Sequence, residues 1–253
     1  MIGGPAARDA LERARRSPSL RVGLHLVLVD GRPLLDPASL PDLVQADGRF
    51  RTNMGRAGVD IFFKPRVRRQ LAAEITAQFE AYAATGLPLD HVNTHKHFHL
   101  HPTVAAMILQ IGGRFGMTAM RAPTEPRAVL FKVEPGVRSA PAYLTAPWSA
   151  LLKRRLRRAG LQTPDHVFGL HWSGAMTQQR LLGLIRHLPA GLSEIYLHPA
   201  TANGYEGSAP GYRYVDEFEA LIAPQMTQAL KEEGVVLGGF ADFRRAGWKG
   251  APA

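Results

Sequence analysis

Short apolar runs alternate with amphipathic stretches along most of this chain, and no other feature constrains its fold as strongly. Arg21–Leu28 (RVGLHLVL) reads as a buried strand, bounded by a Pro-containing segment and by Asp30-Gly31. Val67–Ala84 then takes up a helical period, with Leu71, Ile75, Phe79 and Tyr82 recurring at spacings of four, four and three. Gly86 and Pro88 stop it. Leu89–His95 is the next predicted strand, Thr103–Phe115 a helix ended by Gly116, and Thr118–Arg121 a short strand. Past a connection over 122–146 that holds four prolines, the pattern gives a helix (Trp148–Ala159), a strand (His166–Leu170) and a helix (Thr177–His187). A strand (Glu194–His198), a helix (Tyr214–Glu233) and a last strand (Val235–Phe240) follow. Residues 31–64 and 199–213 read as loops rich in Gly and Pro. Six strands alternating with helices predict an α/β fold with a parallel sheet and helices outside. With 253 residues, 45% hydrophobic and 21% charged, the chain is globular rather than disordered, as one large domain or two small ones.

The chemistry-bearing residues recur where strands end, the rim at which α/β enzymes place their sites. Asp90-His91-Val92-Asn93-Thr94-His95-Lys96-His97-Phe98-His99-Leu100-His101-Pro102 carries five of the ten histidines within eleven residues. In an extended chain His95, His97 and His99 point to one side, and neutral imidazole is a common ligand for divalent metals. The alternative is a surface run that binds metal adventitiously; the apolar strand before it and the helix-starting Pro102 after it favour a site. His25 lies inside an apolar strand, where a histidine must hydrogen-bond or bind something. His198 ends the strand EIYLHP. Arg121 ends another, placed either to clamp an oxygen-rich substrate or to pair with Glu125. Trp148 and Trp172 read as core or as sugar-stacking platforms. His91, His101, His166, His171 and His187 read as structural or exposed.

Several function classes are excluded or disfavoured. With no cysteine, any metal must use His, Asp or Glu. There is no GxGxxG before a helix, no P-loop and no GxSxG, so nucleotide binding and serine hydrolysis have no support. No apolar run approaches the roughly 20 residues of a membrane-spanning helix, and the first residues have no signal-type apolar core, so the cytoplasm is the expected compartment. The formal net charge of +10 invites nucleic acid, but the arginines are scattered over amphipathic helices and nucleic-acid binding is not expected. One basic run stands out. Lys153-Arg154-Arg155-Leu156-Arg157-Arg158 follows Trp148, Leu151 and Leu152 at helical spacing. That stripe either faces an anionic membrane, as a peripheral contact, or is buried on the sheet like that of any outer helix. The oligomeric state is left open.

The order GLHL (Gly23–Leu26), DHVNTHKHFHLHP (Asp90–Pro102), RAP (Arg121–Pro123) and EIYLHP (Glu194–Pro199) resembles the YdjC-like carbohydrate deacetylases along essentially the whole chain. KHFHLHPTV, SEIYLHPAT and PGYRY look closest to the hopanoid biosynthesis-associated branch. The resemblance implies a single domain over 1–253 with a (β/α) barrel of about seven strands and a divalent metal, Mg2+ or Zn2+. It implies hydrolysis of an N-acetyl group on an amino sugar, in that branch an N-acetylglucosaminyl hopanoid glycolipid. His25 and His95 match the family's metal-ligating histidines. His198 matches a general acid or substrate contact, and Arg121, His97 and His99 are carried as substrate-binding residues. The family's ADDFG motif, whose aspartates supply a ligand and the general base, does not occur here. The expectation is therefore that the first strand and helix are missing, with Asp90 or Glu194 as candidate substitutes. The rivals are a non-catalytic sugar- or lipid-binding remnant and a metal-dependent phosphoesterase.

Overall fold

The computed structural model describes all residues except 138–139, 206 and 246–253, and the side chains of 140–144 and 245 are likewise left aside. In chain order it forms α1 (Ala7–Arg15), β1 (Leu24–Leu26), α2 (Met54–Phe63), α3 (Pro65–Ala83), β2 (Val92–Thr94) and α4 (Pro102–Arg114). Then come α5 (Arg127–Val133), α6 (Ala140–Arg158), β3 (His166–Phe168), α7 (Gln178–Arg186) and β4 (Ser193–Ile195). It ends with α8 (Tyr214–Ile222), α9 (Pro224–Glu232) and α10 (Phe240–Arg245). The chain divides into two compact units. One gathers Met1–Arg121, Leu151–Thr163 and the described residues from Gly238 on; the other gathers Ala122–Ala150 and Pro164–Leu237.

In the first unit β1 and β2 pair in parallel, with His25 opposite Asn93 and Leu26 opposite Thr94. The predicted strand Thr118–Arg121 survives as single parallel bridges, Val92 to Met120 and Ala119 to Gln162. Leu24 and Leu26 are buried while His25, on the other face, is half-buried. The apolar stripe of α3 packs inward as its period predicts, and two polar residues join it. Glu74 is fully enclosed and accepts from the Leu34 and Leu35 amides at 2.8 and 3.0 Å and from Gln78 at 2.8 Å. Gln78 in turn bonds both the N–H and the carbonyl of Val27, at 3.0 and 2.7 Å, fixing the chain as it leaves β1. A buried carboxylate is tolerated there because each oxygen accepts at least one hydrogen bond.

In the second unit β3 and β4 form another parallel pair, His166 opposite Ser193 and Phe168 opposite Ile195. Phe168, Trp172, Met176, Leu184, Ala220 and Met226 belong to its core, so Trp172 is a core residue. Glu125 accepts from the consecutive amides of Gly169, Leu170 and His171 at 2.8–3.0 Å, which pins the loop leaving β3. Burial nonetheless raises the Glu125 pKa above the usual carboxylate value, its three amide bonds only opposing that rise.

The parallel α/β expectation holds, and several boundaries change. Four ladder strands form two separate two-stranded sheets among the described residues, and neither closes into a barrel. Val235–Phe240 is not a strand: the Val235 N–H closes the end of α9 on Leu230, Val236 and Leu237 are exposed, and α10 starts at Phe240. Tyr214–Glu233 is two helices, because Ala223 precedes Pro224 and is driven to an extended ψ of 131°. The loop expected over 31–64 contains α2, capped by Asn53 accepting from the Arg56 amide. The connection over 122–146 contains α5 and the start of α6. The stripe of α6 splits: Leu152 and Leu156 are buried, and Trp148 and Leu151 remain exposed.

Candidate functional site

Parallel register builds the histidine cluster of the first unit. His25 and Asn93 are cross-strand partners, and His25 Nδ1 donates to Asn93 Oδ1 at 2.6 Å. An amide oxygen only accepts, so this bond fixes the Nδ1–H tautomer and leaves the Nε2 lone pair available. Burial pushes the His25 pKa down to about 3, with charge on His95 and Arg121 adding to the effect, so the ring is a neutral base. His95 leaves the end of β2 and sets its ring edge-on to His25, centroids 5.8 Å apart.

Beyond His95 the alternation predicted for an extended run fails. The strand ends at Thr94, and Lys96 and His97 both take left-handed backbone, each at φ 52°. For side chains with a Cβ that conformation costs about 1–2 kcal/mol per residue. Two contacts hold the turn: Lys96 pairs with Asp30, itself at φ 47°, and Thr94 Oγ1 bonds both the N–H and the Nδ1 of His99, at 3.0 and 2.6 Å. Lys96 holds the Asp30 carboxyl below the usual range. His99 is completely buried with its pKa well below the usual histidine value, so the substrate-binding expectation has no exposed ring atom to rest on. The turn splits the run into His25–His95 and His97–His99, the latter with centroids 6.0 Å apart. His97 is half-buried and Arg121 is 7% exposed, its N–H bonded to the Val92 carbonyl and its charge felt by His25 and His99.

Asp90, a candidate substitute carboxylate, lies before β2 rather than after it. It is buried and accepts from the Phe240 and Ala241 amides at 3.1 and 2.9 Å and from His91 at 2.9 Å, anchoring the start of α10. Glu194 lies within β4, in the second unit. Among the described residues no three of His, Asp and Glu gather so as to hold a metal ion. The implied metal therefore meets a pair of imidazoles that suits it in kind but falls one ligand short of the three that catalytic zinc sites use.

His198 sits in the second unit in different surroundings. Its N–H donates to Glu217 Oε2, while Glu217 Oε1 accepts from the Met176 amide at 2.9 Å. Glu217 is buried on α8, and nothing in the spacing of the sequence singles it out. The His198 ring lies edge-on between Tyr196 and Tyr212, centroids 5.7 and 5.0 Å away. Tyr212 is set by Ser173, whose hydroxyl is 2.9 Å from its own, and by Gly174, where a Cβ would fall 2.2 Å from the ring.

Residues 1–232 match the family described as YdjC-like protein. A carbohydrate deacetylase of Geobacillus stearothermophilus is 30% identical over 246 residues, covering 96% of this chain and 84% of that protein. A carbohydrate deacetylase of Mus musculus is 29% identical over 276 residues, covering 96% and 84%. A crystal structure of a proposed cellobiose-phosphate cleavage protein from Enterococcus faecalis V583 superposes with a TM-score of 0.70 at 21% identity, covering 96% of this chain and 85% of that one, a likeness of fold. Since the family match runs from residue 1 through residue 232, well over half of the chain, this chain belongs to the YdjC family.

Proposed function

We propose that this chain is a carbohydrate deacetylase, hydrolysing the N-acetyl group of an amino sugar. The observation that carries the reading is the neutral His25 imidazole, locked by Asn93 and facing His95 beyond two parallel strands. The relatives that align along nearly the whole chain are named carbohydrate deacetylases, which supports the broader class. In this reading His198 protonates the departing amine, its main chain held by Glu217 and its ring by Tyr196 and Tyr212. Arg121 and His97 meet substrate oxygens, and His99, bonded to Thr94, shapes the turn that presents His95.

The reading extends to a divalent metal, Mg2+ or Zn2+, on His25 and His95, completed by a carboxylate ligand. It extends also to a membrane-resident N-acetylglucosaminyl hopanoid glycolipid as acceptor. A second reading, a sugar-binding protein without catalysis, is favoured by there being no third His, Asp or Glu grouped with this pair among the described residues.

The test is amine release from N-acetylglucosaminyl substrates before and after chelation. Activity should be lost on chelation, and His25→Ala or His95→Ala should abolish it while circular dichroism stays unchanged. Wild-type rates in both alanine variants would overturn the site. Sugar binding without turnover would establish the second reading.

A further inference from the structure

We infer that the α2 face and the basic end of α6 together form a docking surface for an anionic lipid bilayer. On α2, Val59, Phe62 and Phe63 are 57%, 53% and 70% exposed, apolar side chains at i, i+3 and i+4 on one stripe. The two phenyl rings brace each other edge-on at 4.9 Å, and Phe62 also meets the His101 ring at 6.3 Å. The basic run reaches the same corner of the first unit. Arg155 Nη1 donates to the carbonyl of Pro102, the residue after His101, at 3.3 Å. On the same helix Arg154 and Arg158 are exposed, and Leu151 is 52% exposed.

Charge decides what fits this surface. Residues 151–158 carry five cations and no carboxylate. Residues 51–70 carry six cations against Asp60 alone, and Asp60 is already paired with Arg51 and Lys64 at 2.7 Å. A second copy of the chain would bring like charges together. A nucleic-acid backbone would use the arginines but leave Val59 and Leu151 facing water. A bilayer of anionic lipid satisfies both parts, with the phenyl rings in the headgroup–acyl boundary and the guanidinium groups among the phosphates. This does not rest on the deacetylase reading, since it needs no catalytic residue.

The test is co-sedimentation of the full chain with vesicles of phosphatidylcholine alone and of phosphatidylcholine mixed with phosphatidylglycerol. The wild type should bind the mixed vesicles and be released by salt. Arg154→Gln/Arg155→Gln/Arg158→Gln should weaken binding about a hundredfold, near fivefold per cation. Phe62→Ser/Phe63→Ser should weaken it by at least about tenfold. Circular dichroism checks folding; if the double variant fails to fold, Phe63→Ser alone, at the most exposed position of the stripe, takes its place. Unchanged binding by both variants would overturn the proposal. So would binding to single-stranded DNA without vesicle binding, or a dimer that the phenylalanine changes dissolve.

Discussion

Both units carry histidines in or after parallel strands, yet they treat the imidazoles differently. In the first, His25 is held through its ring nitrogen by the neutral side chain of Asn93, and the ring faces another imidazole. In the second, a buried carboxylate, Glu217, holds the main chain of His198, and the ring lies between two tyrosines. A neutral acceptor on Nδ1 fixes a tautomer without offering the ring a proton, which suits a ligand. At His198 the carboxylate holds the main chain and the ring packs against aromatics. Under the proposed function the first arrangement serves a ligand and the second a proton donor.

The largest effect that would sharpen this contrast lies in the second unit. His198→Ala should slow deacetylation by about 10³-fold, the range of a general acid, with thermal stability changed by less than about 1 kcal/mol. A loss below tenfold would break the assignment.

Next comes the aromatic wall. Gly174→Ala places a Cβ 2.2 Å from the Tyr212 ring at a φ of +74°, and should cost about 3 kcal/mol in a denaturant melt. Gly86 in the first unit has nearly the same φ, +73°, with nothing within 4 Å, so Gly86→Ala should cost only about 1 kcal/mol. Equal losses would mean that Tyr212 is free to move and does not set His198.

The smallest effect belongs to the tautomer lock. Asn93→Ala should reduce activity about 10- to 100-fold, the range seen when the partner that orients a ligating histidine is removed. If the loss appears wholly in KM with kcat unchanged, Asn93 contacts substrate and the lock is not its role.

The sequence determined by itself the α/β class and the helices with a full apolar stripe. Stripe and alternation report which side of an element is buried, and Val67–Ala84 and Thr103–Phe115 were legible within two residues of α3 and α4. His25, His95 and His198 could be singled out as candidates because histidines in or after apolar runs need partners. Tertiary structure alone decided the turn at Lys96-His97, since left-handed backbone at two residues other than glycine needs contacts such as the Asp30 pair and the Thr94–His99 bonds to sustain it. It alone decided the parts played by Glu74, Asp90 and Glu217. Each is a charged residue that composition would place in water and that the fold buries, because backbone amides distant in sequence arrive to satisfy it. Periodicity within a segment carries burial but carries no record of which other segment will bring its hydrogen-bond donors there.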